Sequence, residues 1–340
     1  MMADSASRSP HALKHAYLRA CEVELQALKP GNVGVGAPGH GMCAADFTAS
    51  AQASADPLVA PGLGLGERIF QAVAETRKRV GCNTNLGIVL LCAPLLHALL
   101  AGHATVNLRA ALREVLSPAG VGDTRWLYRA IRLAAPGGLG RSPAHDVAQE
   151  PEVAVVEAMQ AAAHRDRIAW QYCHGYADIF DYAVPRLRAA RARWHSEAWA
   201  ASAVYLGLLR RFPDSHVARK YGQARAFEVS RKAACLDTKL ARCDAPQEIT
   251  QRLQRADAEF KSAGINPGTT ADLTVATLVA DYLDHGLSTD SRDLSLVSSK
   301  AHLSSNAQGE SIADGEPPSG PSAARLSSAR ASCRPCVVSP

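Results

Sequence analysis

Four polar stretches interrupt otherwise apolar surroundings in this 340-residue chain, and each pairs a phosphate-friendly backbone with side chains able to hold a metal or orient a sugar. The first runs from Lys29-Pro30-Gly31-Asn32 to His40 and Asp46; Lys29 is a candidate point charge for phosphate, Gly31 offers a bare amide, and a plain helix-terminating turn is the alternative. The second is Gly81-Cys82-Asn83-Thr84-Asn85-Leu86-Gly87. Asn83 or Thr84 can cap the helix that follows, but three consecutive polar groups opening the most apolar helix also place a helix N-terminus where an anion could bind.

The third stretch is Gly122-Asp123-Thr124 together with Pro136-Gly137-Gly138-Leu139-Gly140 and Asp146. Adjacent glycines suit a nest of N–H groups around phosphate oxygens, while Asp123 is equally a helix cap. The fourth is spread more widely: Asp178 and Asp181, then Asp214-Ser215-His216 with Arg219-Lys220, then Asn266-Pro267-Gly268-Thr269-Thr270-Ala271-Asp272. Carboxylates at helix starts can bind Mg²⁺, which keeps several waters and bridges to substrate phosphates. Asp272 stands out because an ionised side chain inside an apolar helix is costly unless paired or metal-bound.

Several other chemistries lack their residues. No Lys-Ser or Lys-Thr closes the glycine loop into a phosphate loop, no G-x-S-x-G elbow occurs, and no G-x-G-x-x-G follows a strand. His97, His103, His164 and His195 have no i, i+4 partners of the zinc-site kind, and Cys333 and Cys336 stand without a second ligand pair.

The elements that must position these loops are helices. Leu13, Ala16, Tyr17, Ala20 and Cys21 mark one buried face, ended by Lys29-Pro30. Further helices are expected near 43–54, 66–80, 84–102, 105–116, 122–134, 151–189 with a break near Gly175, 195–211, 216–234, 246–262 and 270–285. Short connections punctuated by Gly, Pro, Asp and Asn fit one all-α, bundle-like domain over residues 11–287. Residues 1–10 and the Ser/Ala/Pro-rich stretch 288–340 are expected to be disordered, lacking periodic apolar residues.

With 47% hydrophobic and only 5% aromatic residues, the chain can bury a large helical core. A net charge of +5 suits a small polyanion but lacks the Lys/Arg stripe of a nucleic-acid binder. The apolar run Leu86 to Gly102 is short for a membrane span and carries Pro94 and His97. No signal segment precedes the first helix and nine cysteines lack a framework, so a cytoplasmic protein is expected.

Taken in order, Leu28-Lys29-Pro30-Gly31-Asn32-Val33, the Gly81–Gly87 stretch, Gly137-Gly138-Leu139-Gly140, Pro213–Gly222 and Asn266–Leu273 resemble the motif series of the triphosphoribosyl-dephospho-CoA synthase family, over about residues 11–286. The chain is most similar to a divergent branch, since Asn85-Leu86 stands where a His-Lys pair is common. The resemblance implies an all-α enzyme that moves the triphosphoribosyl group of ATP to a ribose hydroxyl of dephospho-CoA or a related precursor, releasing adenine; a homodimer is compatible with it. On that reading Lys29, Arg219, Lys220 and the Gly137-Gly138 amides hold phosphates, and Asp214 and Asp272 hold Mg²⁺ or the sugar. Gly31, Asn32, Asn83, Thr84, Asn85, Gly140, Thr269 and Thr270 contact the nucleotide, and Asp123 or Asp146 accepts the hydroxyl proton. A helical Mg²⁺-dependent ADP-ribose-type hydrolase and a catalytically silent nucleotide-binding scaffold are the alternatives.

Overall fold

The first helix shows how local chemistry sets the architecture. Ser9 caps it by accepting from the Ala12 amide, Pro10 takes its first position, and α1 (Pro10–Gln26) turns the stripe from Leu13 to Cys21 into the interior. The computed structural model describes residues 9–101 and 107–284. All of them fall in one unit, residues 1–286, and the other unit, 287–335, has no described residue. The stretches 1–8 and 288–340, His103, Cys333 and Cys336 lie outside the described residues.

Among the described residues there are fourteen α-helices and no strand, as expected of an all-α chain. They are α2 (Ala44–Val59), α3 (Leu65–Val80), α4 (Leu86–Leu100), α5 (Leu108–Leu116), α6 (Val121–Ala134), α7 (Val155–Ala162), α8 (Arg167–Cys173), α9 (Val184–Trp194), α10 (Glu197–Arg211), α11 (Ser215–Tyr221), α12 (Gln223–Arg242), α13 (Thr250–Ser262) and α14 (Gly268–Asp284). A π-helical segment, Asp178–Ala183, leads into α9, and a 3₁₀ turn, Pro246–Ile249, into α13. None of these helices is long and apolar enough to cross a membrane.

Helix α14 is the axis of the fold, packing against α1, α4, α9, α10 and the π-helical segment. Val275, Ala276, Leu278, Val279 and Ala280 on it are buried all round, which explains why its pattern is apolar without being amphipathic. Helix α4 is its closest counterpart. Pro94 sits inside α4, and its missing N–H leaves the Leu90 carbonyl without its usual donor. The Tyr172 hydroxyl donates to that carbonyl at 2.6 Å, and the Tyr176 hydroxyl donates to the Leu91 carbonyl at 3.1 Å. An apolar helix carrying a proline is therefore built into the core by two tyrosines.

The expected break near Gly175 is present, and two expected helices are further divided. The 151–189 stretch is three pieces, because Asp166 accepts from the Ile168 and Ala169 amides and restarts the chain as α8, and the backbone turns again at Gly175 and Tyr176, both at positive φ. The 216–234 helix is interrupted at Gly222 and then continues to Arg242.

Candidate active site

The loops that leave these helices converge on a cavity of about 700 Å³, within the range usual for small-molecule sites. Its wall begins with the first loop. Gly31 turns the chain at φ +86°, with the Ile265 carbonyl 2.9 Å from where a side chain would start, so the loop lies tightly on the chain before α14. The Gly31 amide donates to Asp257 at 2.9 Å, which takes it out of ligand binding. Lys29 is buried and spends its three donors on Glu24, on Asn32 Oδ1 at 2.9 Å and on the Val33 carbonyl at 2.8 Å. The expectation of Lys29 as a phosphate clamp is therefore corrected: it neutralises Glu24 and shapes the loop. Glu24 and Asn32 line the cavity, and Asn32 donates to Asn266 Oδ1 at 2.8 Å, joining the first and last motifs.

The start of α4 supplies the floor. Asn83 accepts from the Leu86 amide at 3.2 Å, while Thr84 shares a hydrogen bond with Ser50, and both line the cavity. Asn85 points the other way, donating to Ser54 Oγ at 3.2 Å inside the core, so its expected nucleotide contact is corrected to a packing role between α2 and α4. Gly87 lines the floor, and no side chain fits on it, because Asp272 occupies that space and Ile168 Cδ1 lies at 2.8 Å.

The segment 136–148 forms one side. Gly137, Gly138 and Gly140 line the cavity; Arg219 Nε donates to the Gly137 carbonyl at 3.3 Å and packs its stem under Gly138. Asp146 accepts from the Ser142 amide at 2.6 Å and the Ala148 amide at 2.8 Å, and these bonds hold its carboxyl below the usual range. It is thus a loop-former and a poor base. Asp123 lies away from the cavity and accepts from the Gly66 amide at 2.8 Å, fastening α6 to the start of α3. Neither residue lines the cavity.

The last wall is the meeting of α11 and α14. Asp214 is buried and fully engaged: Oδ1 caps the Val217 amide at 3.0 Å, and Oδ2 accepts from the Thr270 amide at 2.8 Å and hydroxyl at 2.7 Å. The expected metal role of Asp214 and ligand role of Thr270 give way to a clasp between two helix starts. Lys220 is exposed beside the Tyr221 ring and does not line the cavity. His216, Arg219, Thr269 and Asp272 do.

Asp272 differs from every other carboxylate here, because it makes no hydrogen bond or ion pair among the described residues. Burial, reinforced by Asp214, Glu24 and Asp166, pushes its carboxyl far above the usual range. His216 is pushed down to about 4 by burial and by Arg219, Lys220 and His40, so its ring is neutral at pH 7. Two long helices, α4 and α14, start at this floor, and their N-termini supply positive potential beside the carboxylates. Among the described residues no group of three metal-ligating side chains forms.

The structure thus gathers Asn32, Asn83, Thr84, Gly137, Gly138, Gly140, Arg219, Thr269 and Asp272 at one cavity. It adds Glu24, Asp166, Arg141 and Arg165, which residue patterns alone did not single out. Glu24 had a signal: it extends the buried stripe of α1 by one turn and is its single acidic member. The run His164-Arg165-Asp166-Arg167, charged between apolar segments, was the signal for the others.

A crystal structure of the proposed triphosphoribosyl-dephospho-CoA synthase of Archaeoglobus fulgidus shares the fold, with a TM-score of 0.53 at 23% identity, over 71% of this chain and 99% of that one. No curated protein sequence matches the chain. The family model described as CitG, ATP:dephospho-CoA triphosphoribosyl transferase, matches residues 10–291, well over half of the length. The chain belongs to the ATP:dephospho-CoA triphosphoribosyl transferase family, enzymes that move the triphosphoribosyl group of ATP to dephospho-CoA.

Proposed function

We propose that the cavity floor binds ATP with its ribose over Asp272, and that the unpartnered Asp272 carboxylate is the group on which transfer depends. That carboxylate is the single observation carrying the reading: a buried acid facing a cavity with no hydrogen-bond or ion-pair partner among the described residues, offset only through space by Arg219, is retained at a cost in stability. As the bond between C1′ and adenine N9 breaks, its electron pair leaves with adenine and positive charge develops on the sugar. Asp272, with Glu24 and Asp166 nearby, supplies the opposing field once a cation or the positive sugar lies against it and draws off its proton.

The triphosphate is held by the amides at the starts of α4 and α14, by the Gly137-Gly138 backbone and by Arg219, which would exchange its Asp166 pairing for phosphate. Asn83 and Thr84 orient the nucleoside. The neutral His216 ring offers a hydrogen bond to the departing base.

The acceptor hydroxyl bonds to C1′ and gives its proton to Glu24 Oε2. Lys29 engages the other oxygen, Oε1, and burial raises the affinity of this carboxyl for a proton. Glu24 replaces Asp123 and Asp146 in that role. The residues also fit Mg²⁺, since Asp272 is a free oxygen donor set among like charges and this cation is commonly held by one or two carboxylates plus phosphates. When bound it supplies charge neutralisation of the triphosphate. No disulfide joins the described cysteines, and the setting we propose for the chain is the cytoplasm.

The test is incubation of the protein with ATP, Mg²⁺ and dephospho-CoA, followed by mass spectrometry, beside Asp272→Asn. Free adenine with a triphosphoribosylated acceptor from the wild type alone supports the proposal. Free triphosphoribose indicates hydrolysis, and unchanged ATP with retained binding indicates a silent module; a fully active, folded Asp272→Asn sinks the role given to that residue.

A further inference from the structure

The cavity has a second end whose chemistry is opposite to that of the floor. Leu127 and Ile131 of α6 and Ala158 and Met159 of α7 line an apolar part of the cavity, a slot at which these largely buried side chains are reached, and Arg141 and Arg165 line the same cavity. Three arginines line the cavity, but only Arg219 has a carboxylate partner, Asp166. Arg141 and Arg165 are exposed and make no hydrogen bond or ion pair through their guanidinium groups among the described residues. Both lie near enough to Asp146 to lower its pKa, which places them at the same side of the mouth, and the oxygens of Asp146 are already taken by the Ser142 and Ala148 amides.

Resting on the proposed function, we infer that the slot and these two arginines are the acceptor subsite: Arg141 and Arg165 grip the acceptor's diphosphate, the slot receives its adenine, and the pantetheine arm remains outside. The two anions of the reaction sort by their counter-ions. A metal-bearing triphosphate belongs with the carboxylates of the floor, where a bare anion would be repelled. A diphosphate without metal belongs with two unpaired guanidinium groups, which bind phosphate through paired N–H donors. The acceptor's reactive hydroxyl is on its adenosine ribose, so the part of the molecule inward from the diphosphate must be adenosine. The walls of Leu127, Ile131, Ala158 and Met159 suit a flat heteroaromatic ring, and Met159 adds a polarisable thioether to its face. The consequence is a specificity statement: the enzyme recognises an adenosine diphosphate unit and is indifferent to what extends beyond it.

The test is calorimetric titration of the full chain with dephospho-CoA, with steady-state adenine release measured in parallel. Arg165→Ala and Arg141→Ala should each weaken dephospho-CoA binding by about tenfold, with a much smaller change in the KM for ATP. Met159→Trp should abolish dephospho-CoA binding by filling the slot; because Met159 is buried and the larger ring can disturb packing, the exposed arginine variants stand as the independent measurement, with circular dichroism as the check on folding. ADP should serve as acceptor with a KM within about tenfold of that of dephospho-CoA, its product identified by mass. Wild-type affinity for dephospho-CoA in both arginine variants, a KM for ATP that rises in step, or discrimination against ADP by several orders of magnitude would overturn the assignment. Calorimetry separates this failure from failure of the transferase reading, which would show as dephospho-CoA binding through Arg165 with no adenine released.

Discussion

The backbone of Gly87 at the start of α4 lies so close to the Asp272 carboxylate on α14 that a methyl group on Gly87 would occupy the same space. At this point an acid, rather than an apolar side chain of α14, lies against the α4 backbone. Gly87→Ala is expected to push Asp272 out of register and lower kcat by on the order of a hundredfold, with a stability cost of about 1–3 kcal/mol. Steady-state kinetics and urea denaturation on the same preparation check both.

Asp272→Asn is expected to remove turnover while making the protein more stable at pH 7. The sign follows from linkage: with its pKa raised on folding, Asp272 binds more protons in the folded than in the unfolded chain, so stability falls as pH rises above the usual carboxylate range of about 4. The Asn variant should lose that slope. Thermal melts of the two proteins from pH 4 to 8 would show curves that coincide at the acid end and diverge above it; parallel curves would contradict the argument.

Lys29→Met should cost about 3–5 kcal/mol, because it leaves Glu24 buried and uncompensated. Adding Glu24→Gln to the same protein should restore most of that stability but not activity. A double-mutant cycle in guanidinium chloride measures the coupling.

His216 carries a pH signature of the opposite sense. Its folded pKa of about 4 lies below the usual 6.5, so the unfolded chain binds the extra proton between those values. The stability it contributes is complete above pH 6.5 and is lost as pH falls towards 4. His216→Gln should flatten the wild-type decline across that window, and an unchanged decline would remove His216 as its source.

Asp123→Ala should lower stability by about 1 kcal/mol and leave kcat and both KM values near wild type, since the side chain ties α6 to the Gly66 amide away from the cavity. A large kinetic effect without a stability loss would return Asp123 to the reaction.

The helices were legible because their caps and stripes are local. Ser9-Pro10 at the start of α1 and the unbroken apolar run of α4 can be read within a few residues. The glycine and asparagine motifs could also be read as converging, and Asn32, Asn83, Gly137 and Arg219 do meet at one cavity. What a residue does there was not legible, because it depends on partners distant in the chain. Asp272 stands out by its place inside an apolar helix, but Asp214 reads as fit for the same role beside it; Thr270 and Val217 occupy the oxygens of Asp214, while nothing among the described residues bonds Asp272. Lys29 has the residue type of a phosphate ligand, but Glu24, one turn back, claims it. Within 151–189 the break at Gly175 was legible from the glycine, but the one at Asp166 was hidden, because a single acidic residue there is equally a solvated one.

The hydroxyl of Tyr172 and the ring of Pro94 constrain each other's future. Losing the hydroxyl strands a carbonyl in the core, while restoring an amide at position 94 makes that hydroxyl redundant and leaves it to compete for the same oxygen. The two positions, 78 residues apart in the chain, are therefore expected to change together among descendants of this sequence or not at all.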